Sequence, residues 1–140
     1  MSKTGPIILV DDDPEDKEIF ELIISDLGIG NRLIYFDRCD DALHYLLTTR
    51  EQPFIIFCDV NLPAKTGIEF KKEIDSTPKL RRKSIPFVFY STSVDSGTVT
   101  RAYTEMTVQG FFQKASRVAD MRKTIQLVLE YWFECRHPNS

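Results

Sequence analysis

The sequence predicts a doubly wound α/β fold of the (βα)5 type, with a five-stranded parallel sheet and five helices. Short apolar runs, typical of strands buried on both faces, alternate with longer segments whose apolar residues recur at helical spacing. Most runs end in polar residues that suit the start of a helix. Because strands that alternate with helices form a parallel sheet with right-handed crossovers, we expect helices on both faces.

The first strand and helix show this pattern most clearly. Ile7–Val10 is an unbroken apolar run that ends in three aspartates. Asp13 can cap a helix that begins at Pro14, because a proline at the first helical position needs no amide hydrogen. The inward-facing residues predicted for this helix are Phe20, Ile23, Ile24 and Leu27. Gly28 then follows as a signal for the end of the helix.

Four more units of strand and helix follow in the same order. Strands are predicted at residues 33–36, 54–58, 85–90 and 108–113. The second helix opens at Asp40, and the third at Thr66, whose spacing to Glu69 is that of a capping box. The last helix spans residues 118–133. The stripe that predicts the fourth helix is formed by Val99, Ala102, Tyr103 and Met106.

Length and composition limit the possibilities further. A chain of 140 residues, 42% of them hydrophobic, fits one domain over residues 1–140 with a core at about 6–133. Fewer than ten residues follow the last predicted helix, so we expect no output domain. A net charge of -3 gives no electrostatic footprint for nucleic acid. The one basic cluster, at residues 79–83, is expected to be a solvated loop.

The chain shows no targeting or membrane segment. Its N-terminal apolar run is too short for a signal peptide or a membrane span, so we expect a cytoplasmic protein without a membrane partner. Cys39, Cys58 and Cys135 are widely spaced and fit neither a disulfide framework nor a zinc site. We interpret them as reduced structural thiols.

The residues just after the predicted strands point to a functional site. Asp11 and Asp12 follow the first strand, Asp59 the third, Ser91 the fourth and Lys114 the fifth. In open α/β sheets ligands bind beyond the carboxyl ends of the strands, so these side chains should share one cleft. Three crowded carboxylates need a compensating cation, and hard oxygen ligands suit Mg²⁺. With Mg²⁺ and the lysine in place, the cleft can receive a phosphoryl group, with a carboxylate as nucleophile.

Several segments carry a family resemblance. They are Ile8-Leu9-Val10-Asp11-Asp12-Asp13, Cys58-Asp59-Val60-Asn61-Leu62-Pro63 with Gly67, Pro86-Phe87-Val88-Phe89-Tyr90-Ser91, and Gly110-Phe111-Phe112-Gln113-Lys114. On these segments the chain resembles the response-regulator receivers of two-component signalling, which have a flavodoxin-like fold. The resemblance implies a phosphorylation-dependent switch that is charged by a sensor histidine kinase or a phosphotransfer protein and signals by protein–protein contact. It does not imply an enzyme that turns over small substrates.

The resemblance also implies roles for the acidic residues. Asp59 matches the family's phosphoacceptor. Asp12 and Asp59 match direct ligands of the metal, together with the backbone carbonyl of Asn61. Asp11 matches the carboxylate that acts on the metal mainly through water.

Lys114 and Ser91 match the family's catalytic lysine and hydroxyl, and Ser91 with Phe111 matches its switch pair. Ala115 departs from the pattern, since the family usually has a proline there, joined by a cis bond that aims the lysine. A cis bond before a non-proline residue costs about 2.5–4 kcal/mol, so either the site bears this strain or the loop takes another path. Thr92, where alanine or glycine is usual, puts a branched side chain beside the access route to the phosphoryl site.

A narrower resemblance is to the single-domain regulators that partner bacterial phytochromes. It rests on Asp13-Pro14-Glu15-Asp16, Asn61-Leu62-Pro63, Ser91-Thr92-Ser93 and the helix ending Glu130-Tyr131-Trp132-Phe133. A phytochrome-type kinase is therefore the expected partner.

Other functions fit the sequence less well. A phosphohydrolase of similar fold, by resemblance, needs an aspartate where this chain has Asn61, whose amide cannot shuttle a proton. A dinucleotide binder needs a glycine-rich loop where this chain has aspartates. A pseudo-receiver, which binds partners without phosphorylation, is the remaining alternative, and the complete acidic triad argues against it. His44 and His137, the second in a polar tail, are assigned no phosphotransfer role.

The last predicted helix has more apolar residues than one covering face requires. The stripe that can pack on the sheet comprises Val118, Met121, Ile125, Val128 and Trp132. Outside that stripe fall Leu127, Leu129, Tyr131 and Phe133. Either these residues cover neighbouring loops or they dock on a partner. We expect a homodimer that forms through this helix.

Overall fold

The computed structural model describes residues 2–92 and 95–138, and shows a five-stranded parallel sheet in the order β2-β1-β3-β4-β5. Ser93, part of the narrower resemblance, lies outside the described residues. The strands are β1 (Ile7–Val10), β2 (Leu33–Phe36), β3 (Ile55–Cys58), β4 (Phe87–Ser91) and β5 (Gly110–Gln113). The predicted sheet is confirmed, although Phe54, Ile85 and Val108 lie just before strands rather than in them. Because β1 and β3 are neighbours, the loops that follow them meet at one edge.

Six helices cover the sheet within the described residues, rather than the five predicted. They are α1 (Pro14–Asp26), α2 (Cys39–Thr48), α3 (Gly67–Ser76), α4 (Pro78–Lys83), α5 (Ser96–Glu105) and α6 (Val118–Glu134), and a single 3₁₀ turn spans Ser2–Thr4. The predicted helix starts hold in two cases. The Asp13 side chain accepts from the amide of Glu15, and Thr66 and Glu69 form the full capping box.

The helices form one apolar layer on each face of the sheet. The layer with α1 and α6 contains Phe20, Ile23, Met121, Ile125 and Leu129. The layer with α2 to α5 contains Ala42, Leu46, Phe70, Leu80, Ala102 and Met106. Strand residues alternate between the layers, so Leu9 and Phe57 face one and Ile8 and Cys58 the other. Tyr103, predicted to face inward from α5, is instead half-exposed.

The expected basic loop is the helix α4. Pro78 is its first residue, where the missing amide costs nothing, and Leu80 is buried in the core. Lys79 Nζ donates to the carbonyl of Leu47 at 2.6 Å, and Lys83 Nζ to that of Leu46 at 3.0 Å. These carbonyls lie in the last turn of α2, where the helix dipole is negative and carbonyls lack helical partners. The cluster therefore caps a neighbouring helix.

The end of α6 corrects the prediction for that helix. Leu129 is fully buried, and the ring of Phe133 stacks on that of Phe54 with centroids 4.6 Å apart. Val118, expected to pack on the sheet, is exposed. His137 is buried rather than in a solvated tail, with Nε2 2.7 Å from the carbonyl oxygen of Phe54. The segment after α6 therefore packs beneath the amino end of β3. This widens the inward face of the helix beyond one stripe.

A buried ion pair within α3 is joined by hydrogen bonds to Thr107, in the segment between α5 and β5. Lys71 Nζ donates to Asp75 Oδ1 at 2.9 Å and to Thr107 Oγ1 at 3.0 Å. Asp75 also accepts from the amide of Thr107 at 2.9 Å and from its hydroxyl at 2.7 Å. The lysine is almost fully buried and lies 5.0 Å from the centroid of the Phe87 ring.

Among the described residues, no helix has the length and hydrophobicity needed to cross a bilayer.

Gly67 brings the start of α3 against the end of β3. Its amide donates to the carbonyl of Val60 at 2.9 Å. A Cβ atom at this position would overlap the carbonyl oxygen of Asp59 and press on the Cys58 sulfur. The close approach of the two backbones therefore depends on glycine, and it helps to fix Asp59 in place.

We expect Gly67→Ala to lower the free energy of unfolding by about 2 kcal/mol or more, because backbone atoms must move to admit the methyl group. The matched control is Gly30→Ala, since a Cβ atom there meets nothing within 4 Å. Urea denaturation of both variants measures the difference. Equal stabilities for the two would contradict the role assigned to Gly67.

Candidate functional site

Three carboxylates meet at the carboxyl edge of the central strands. Asp11 follows β1 and Asp59 follows β3, and Val10 pairs with Cys58 in the register between these strands. The amide of Asp59 donates to the carbonyl of Val10 at 2.9 Å, which continues the pairing into the loops. One carboxylate oxygen each from Asp11, Asp12 and Asp59 lie within 4.8 Å of one another. Asp11 and Asp59 are 1% and 7% exposed, whereas Asp12 is exposed.

The ammonium group of Lys114 reaches into this cluster from the end of β5. Its backbone amide donates to the carbonyl of Ser91 at 2.9 Å, which fixes the start of the side chain. Nζ donates to Asp11 Oδ2 at 2.6 Å, to Asp16 Oδ2 at 2.7 Å and to Asp59 Oδ2 at 2.9 Å. The bond from Lys114 to Ala115 is trans, so the loop takes the second of the two paths that the sequence left open.

The second oxygen of Asp59 is held by two other donors. The Ser91 hydroxyl donates to Asp59 Oδ1 at 2.8 Å, and the amide of Asn61 donates to the same atom at 3.2 Å. Ser91 is fully buried at the end of β4. The structure therefore brings Asp11, Asp12, Asp59, Ser91 and Lys114 together, as their places in the sequence predict.

The charges in the cleft perturb each other strongly. Burial raises the pKa of Asp11 to about 7, against hydrogen bonds from Lys114 and the amide of Asp13 that lower it. Asp16 lies close enough to raise the pKa of Asp11 further. Burial lowers the pKa of Lys114, but its bonds to Asp11, Asp16 and Asp59 outweigh burial and raise the pKa above its usual value. A carboxylate that resists ionisation at neutral pH marks a cleft suited to an additional cation.

The cleft opens to solvent as a cavity of about 360 Å³. Its lining residues are Asp12, Asp13, Asp16, Asp59, Asn61, Thr92, Lys114, Ala115 and Met121. Thr92 is exposed beside the opening, where the sequence places the access route. The donor set fits a hard cation, because carboxylate oxygens dominate the wall and the lining residues include neither cysteine nor histidine.

Asp16 is a site residue that the sequence reasoning missed. In the sequence it enters only as part of the segment Asp13-Pro14-Glu15-Asp16, which contributes to the narrower resemblance. The signal was present, because the first turn of a helix that follows β1 must lie at the carboxyl edge of the sheet. Which residue of that turn points into the cleft depends on the rotation of α1, which the sequence alone does not specify.

Phe111, the two histidines and Cys58 do not line the cleft. Phe111 is half-buried on β5, with its ring 5.4 Å from that of Phe89, so it lies in the core behind the cleft. His44 is exposed on α2, and His137 packs under the opposite end of the sheet. Cys58 points into the core rather than into the cleft, where its thiol donates to the backbone carbonyl of Asp59 at 3.1 Å, and burial raises the pKa of this thiol. That thiol is therefore a poor nucleophile.

Comparison with known proteins gives a consistent result. The family described as response regulator receiver domain matches residues 7–126. Response regulator Rcp1 of Synechocystis sp. is 30% identical over 133 residues, which cover 91% of this chain and 88% of that protein. The crystal structure of Mn²⁺-bound Rcp1 is 28% identical, with a TM-score of 0.81 over 95% of this chain and 96% of that chain.

A further crystal structure shares the fold at lower identity. That of the phosphorylated cyanobacterial phytochrome response regulator RcpA superposes with a TM-score of 0.84. The match covers 96% of this chain and 98% of that chain, at 24% identity. The resemblance to the receiver family drawn from the motifs is confirmed by the family match and by Rcp1, and RcpA shows the same fold.

We expect ionisation of Asp11 to weaken the metal-free protein. Because the folded-state pKa of about 7 lies above the ordinary value of 3.8, the stabilising contribution is fully present below pH 3.8 and is lost as the pH rises through about 7. Relative to Asp11→Asn, which cannot titrate, wild type should lose about 1–3 kcal/mol of unfolding free energy between about pH 4.5 and pH 8. Urea denaturation in EDTA at both pH values measures this. Parallel pH profiles for the two proteins would contradict the raised pKa.

Proposed function

The chain belongs to the response regulator receiver family, and we propose that it accepts a phosphoryl group on Asp59. The observation that carries this proposal is the placement of Asp59 between an ammonium group on one carboxylate oxygen and a hydroxyl on the other. Both groups can bond a phosphoryl oxygen, and the cavity gives a donor access to Asp59. The pseudo-receiver alternative finds no support in a site that holds all of these groups.

The transfer itself needs few protein groups. An Asp59 carboxylate oxygen forms a bond to phosphorus while the bond from phosphorus to the histidine nitrogen of the kinase breaks. Lys114 and Ser91 then bond the phosphoryl oxygens in place of the carboxylate oxygens that they hold in this structure. In-line phosphoryl transfer depends mainly on such positioning and charge compensation.

We propose Mg²⁺ as the cation of the acidic cluster. Asp12, Asp59 and the backbone carbonyl of Asn61 would hold it directly, and Asp11 through water. The oxygen-only donor set and the pKa of Asp11 support this choice, as does the Mn²⁺ bound by the related Rcp1. When bound, Mg²⁺ supplies positive charge that offsets the carboxylates and the incoming phosphoryl oxygens.

We propose that the response passes from Ser91 to Phe111. The Ser91 hydroxyl needs to move only from Asp59 Oδ1 to a phosphoryl oxygen on the same side chain. Phe111 lies on the neighbouring strand with its ring against Phe89, so it can follow into space that opens behind Ser91. Thr92 stands at the rim, where its branched side chain restricts access for water and small phosphodonors.

Receiver domains partner sensor histidine kinases, and for this chain we propose a kinase of the phytochrome type. Its relatives Rcp1 and RcpA support this, since RcpA is a phytochrome response regulator. We propose action in the cytoplasm, because Cys39, Cys58 and Cys135 are free thiols, as is usual in a reducing compartment. We also propose that the chain does not turn over small phosphoesters, because the Asn61 amide cannot act as a general acid.

Asp59→Asn should abolish phosphorylation by acetyl phosphate and Mg²⁺, because it removes the nucleophile at nearly constant volume. Intact mass measurement of both proteins after incubation reports the added phosphoryl group. Asp41→Asn, which changes an exposed aspartate on α2 outside the cleft, is the matched control and should be phosphorylated like wild type. A phosphorylated Asp59→Asn protein, with the group mapped to Asp11 or Asp12, would overturn the assignment.

A homodimer through α6 is the second part of the proposal. Leu127 and Tyr131 are each 62% exposed, and they line an apolar groove of about 370 Å³ together with Val88, Gln109, Phe112, Val128 and Trp132. The groove runs beside β5, the edge strand of the sheet. In a dimer with two-fold symmetry, the exposed Leu127 and Tyr131 of each protomer would pack against the groove of the other, so each contact would occur twice. Burial of a large apolar side chain contributes roughly 1.5–3 kcal/mol.

Tyr131→Asp should shift the protein from dimer to monomer at micromolar concentration without unfolding it, because the side chain contributes little to the core. Phe133→Asp is unsuitable, since Phe133 stacks on Phe54 and the charge would disrupt folding. The control is Leu22→Asp, which changes an equally exposed residue, 64% accessible, on α1. Sedimentation that shows wild type as a 16.2 kDa monomer at high concentration, with and without phosphorylation, would exclude this dimer.

A further inference from the structure

Asp16 is a fourth carboxylate at the cleft, outside the three-carboxylate cluster, and it shares Lys114 as a hydrogen-bond partner with Asp11 and Asp59. It lies in the first turn of α1, whose start is fixed by the Asp13 cap and by Pro14. Its Oδ2 atom accepts from Lys114 Nζ at 2.7 Å, across 98 positions of sequence. The two side chains retain only 14% and 7% of their exposure. A first-turn carboxylate is usually solvated, so this degree of burial indicates a specific contact.

The ammonium of Lys114 is fully used in this structure. It has three N–H groups, and it donates to three different carboxylates, those of Asp11, Asp16 and Asp59. Asp11 and Asp59 belong to the cluster whose oxygens lie within 4.8 Å of one another, and Asp16 does not. Of the three partners, Asp16 is therefore the one that neither a cation in the cluster nor a phosphoryl group on Asp59 would occupy.

The lysine also needs an anchor at its tip. Its backbone is tied to Ser91, but four rotatable bonds separate the backbone from Nζ. The bond from Lys114 to Ala115 is trans, and the residue after the lysine is not a proline that would restrict the loop. A carboxylate on the rigid first turn of α1 supplies the missing restraint, because α1 packs on the sheet through Phe20 and Ile23.

We propose that Asp16 is a positioning residue, which holds the Lys114 ammonium over Asp59 before, during and after phosphoryl transfer. This inference rests on the proposed function. Asp16 forms and breaks no covalent bond. With acetyl phosphate as donor, an Asp59 oxygen bonds to phosphorus and acetate leaves with the electron pair of the broken bond. One N–H of Lys114 then passes from Asp59 to a phosphoryl oxygen, while the N–H that points to Asp16 stays in place.

The test is the rate of phosphorylation by acetyl phosphate with saturating Mg²⁺, followed by intact mass. Asp16→Ala should lower the maximal rate about tenfold, because a loosely held lysine spends little time in the productive geometry. Asp16→Asn keeps an oxygen acceptor at the same reach and should restore most of the rate. Glu15→Ala removes a charge from the same turn but from an exposed side chain outside the cavity, and should match wild type.

A double-mutant cycle shows whether Asp16 acts through Lys114. In a Lys114→Ala background, Asp16→Ala should change the rate less than about twofold, because nothing remains to be positioned. A full effect in that background would overturn the proposal and indicate action through Asp11. Faster phosphorylation of both Asp16→Ala and Asp16→Asn would also overturn it, since charge repulsion alone would explain that result.

Two further outcomes separate this inference from the proposed function. If Asp16→Ala is phosphorylated at the wild-type rate, and both proteins are equally stable in thermal melts, the role of Asp16 is refuted but the proposed function is not. Wild type that accepts no phosphoryl group from acetyl phosphate would refute both proposals. If Asp16→Ala fails to fold, Asp16→Asn decides the question. A folded Asp16→Asn protein that is phosphorylated about tenfold more slowly than wild type would reject the positioning role, and one with most of the wild-type rate would support it.

Discussion

A single ammonium group, that of Lys114, joins carboxylates from three separate parts of the chain. Asp11 follows β1, Asp16 lies on α1, and Asp59 follows β3. The sheet order places β1 beside β3, so the loops after them must approach one another whatever their charge. Without a cation between them, their repulsion would oppose the topology that the apolar strands favour. The positive charge of Lys114 reduces the repulsion between the carboxylates and so stabilises the sheet order. The carboxylates still outnumber the single ammonium group, so the cleft can attract a divalent ion.

Much of the site could be predicted from the sequence because buried parallel strands are easy to recognise. A strand such as Ile7–Val10 has no polar residue, so the first polar residue marks its carboxyl end closely. Asp11 and Asp59 are predicted in this way, and Ser91 follows from the apolar run before it. Lys114 follows the weaker fifth strand, whose predicted range also contains the polar residues Gln109 and Gln113. The tertiary rule that such ends share one edge then supplies the convergence without any knowledge of side-chain contacts.

Features that depend on contacts between distant elements could not be predicted. The helix α4 has one buried apolar residue, Leu80, and its lysines are held by carbonyls of α2, about thirty positions away. Leu129 and Phe133 turn inward because residues beyond the sheet, Phe54 among them, extend the surface that α6 covers. Whether Asp16 or another residue of the first turn points into the cleft depends on the rotation of α1 about its axis. In each case local periodicity is satisfied by more than one arrangement, and packing selects among them.

The bond network of Lys71, Asp75 and Thr107 has a mechanical consequence for the region between α5 and β5. Thr107 is held to α3 by three hydrogen bonds to the charged side chains of Lys71 and Asp75, and a hydrogen bond to a charged group contributes about 1.5–3 kcal/mol. The amino end of α5, next to the cleft, has no comparable restraint among the described residues, and its cap is the exposed Asp95. The end of α5 next to Thr107 is therefore restrained more strongly than its amino end. We therefore expect a displacement at the cleft to rotate α5 about Thr107 rather than to translate the whole helix, with the largest movement at its amino end.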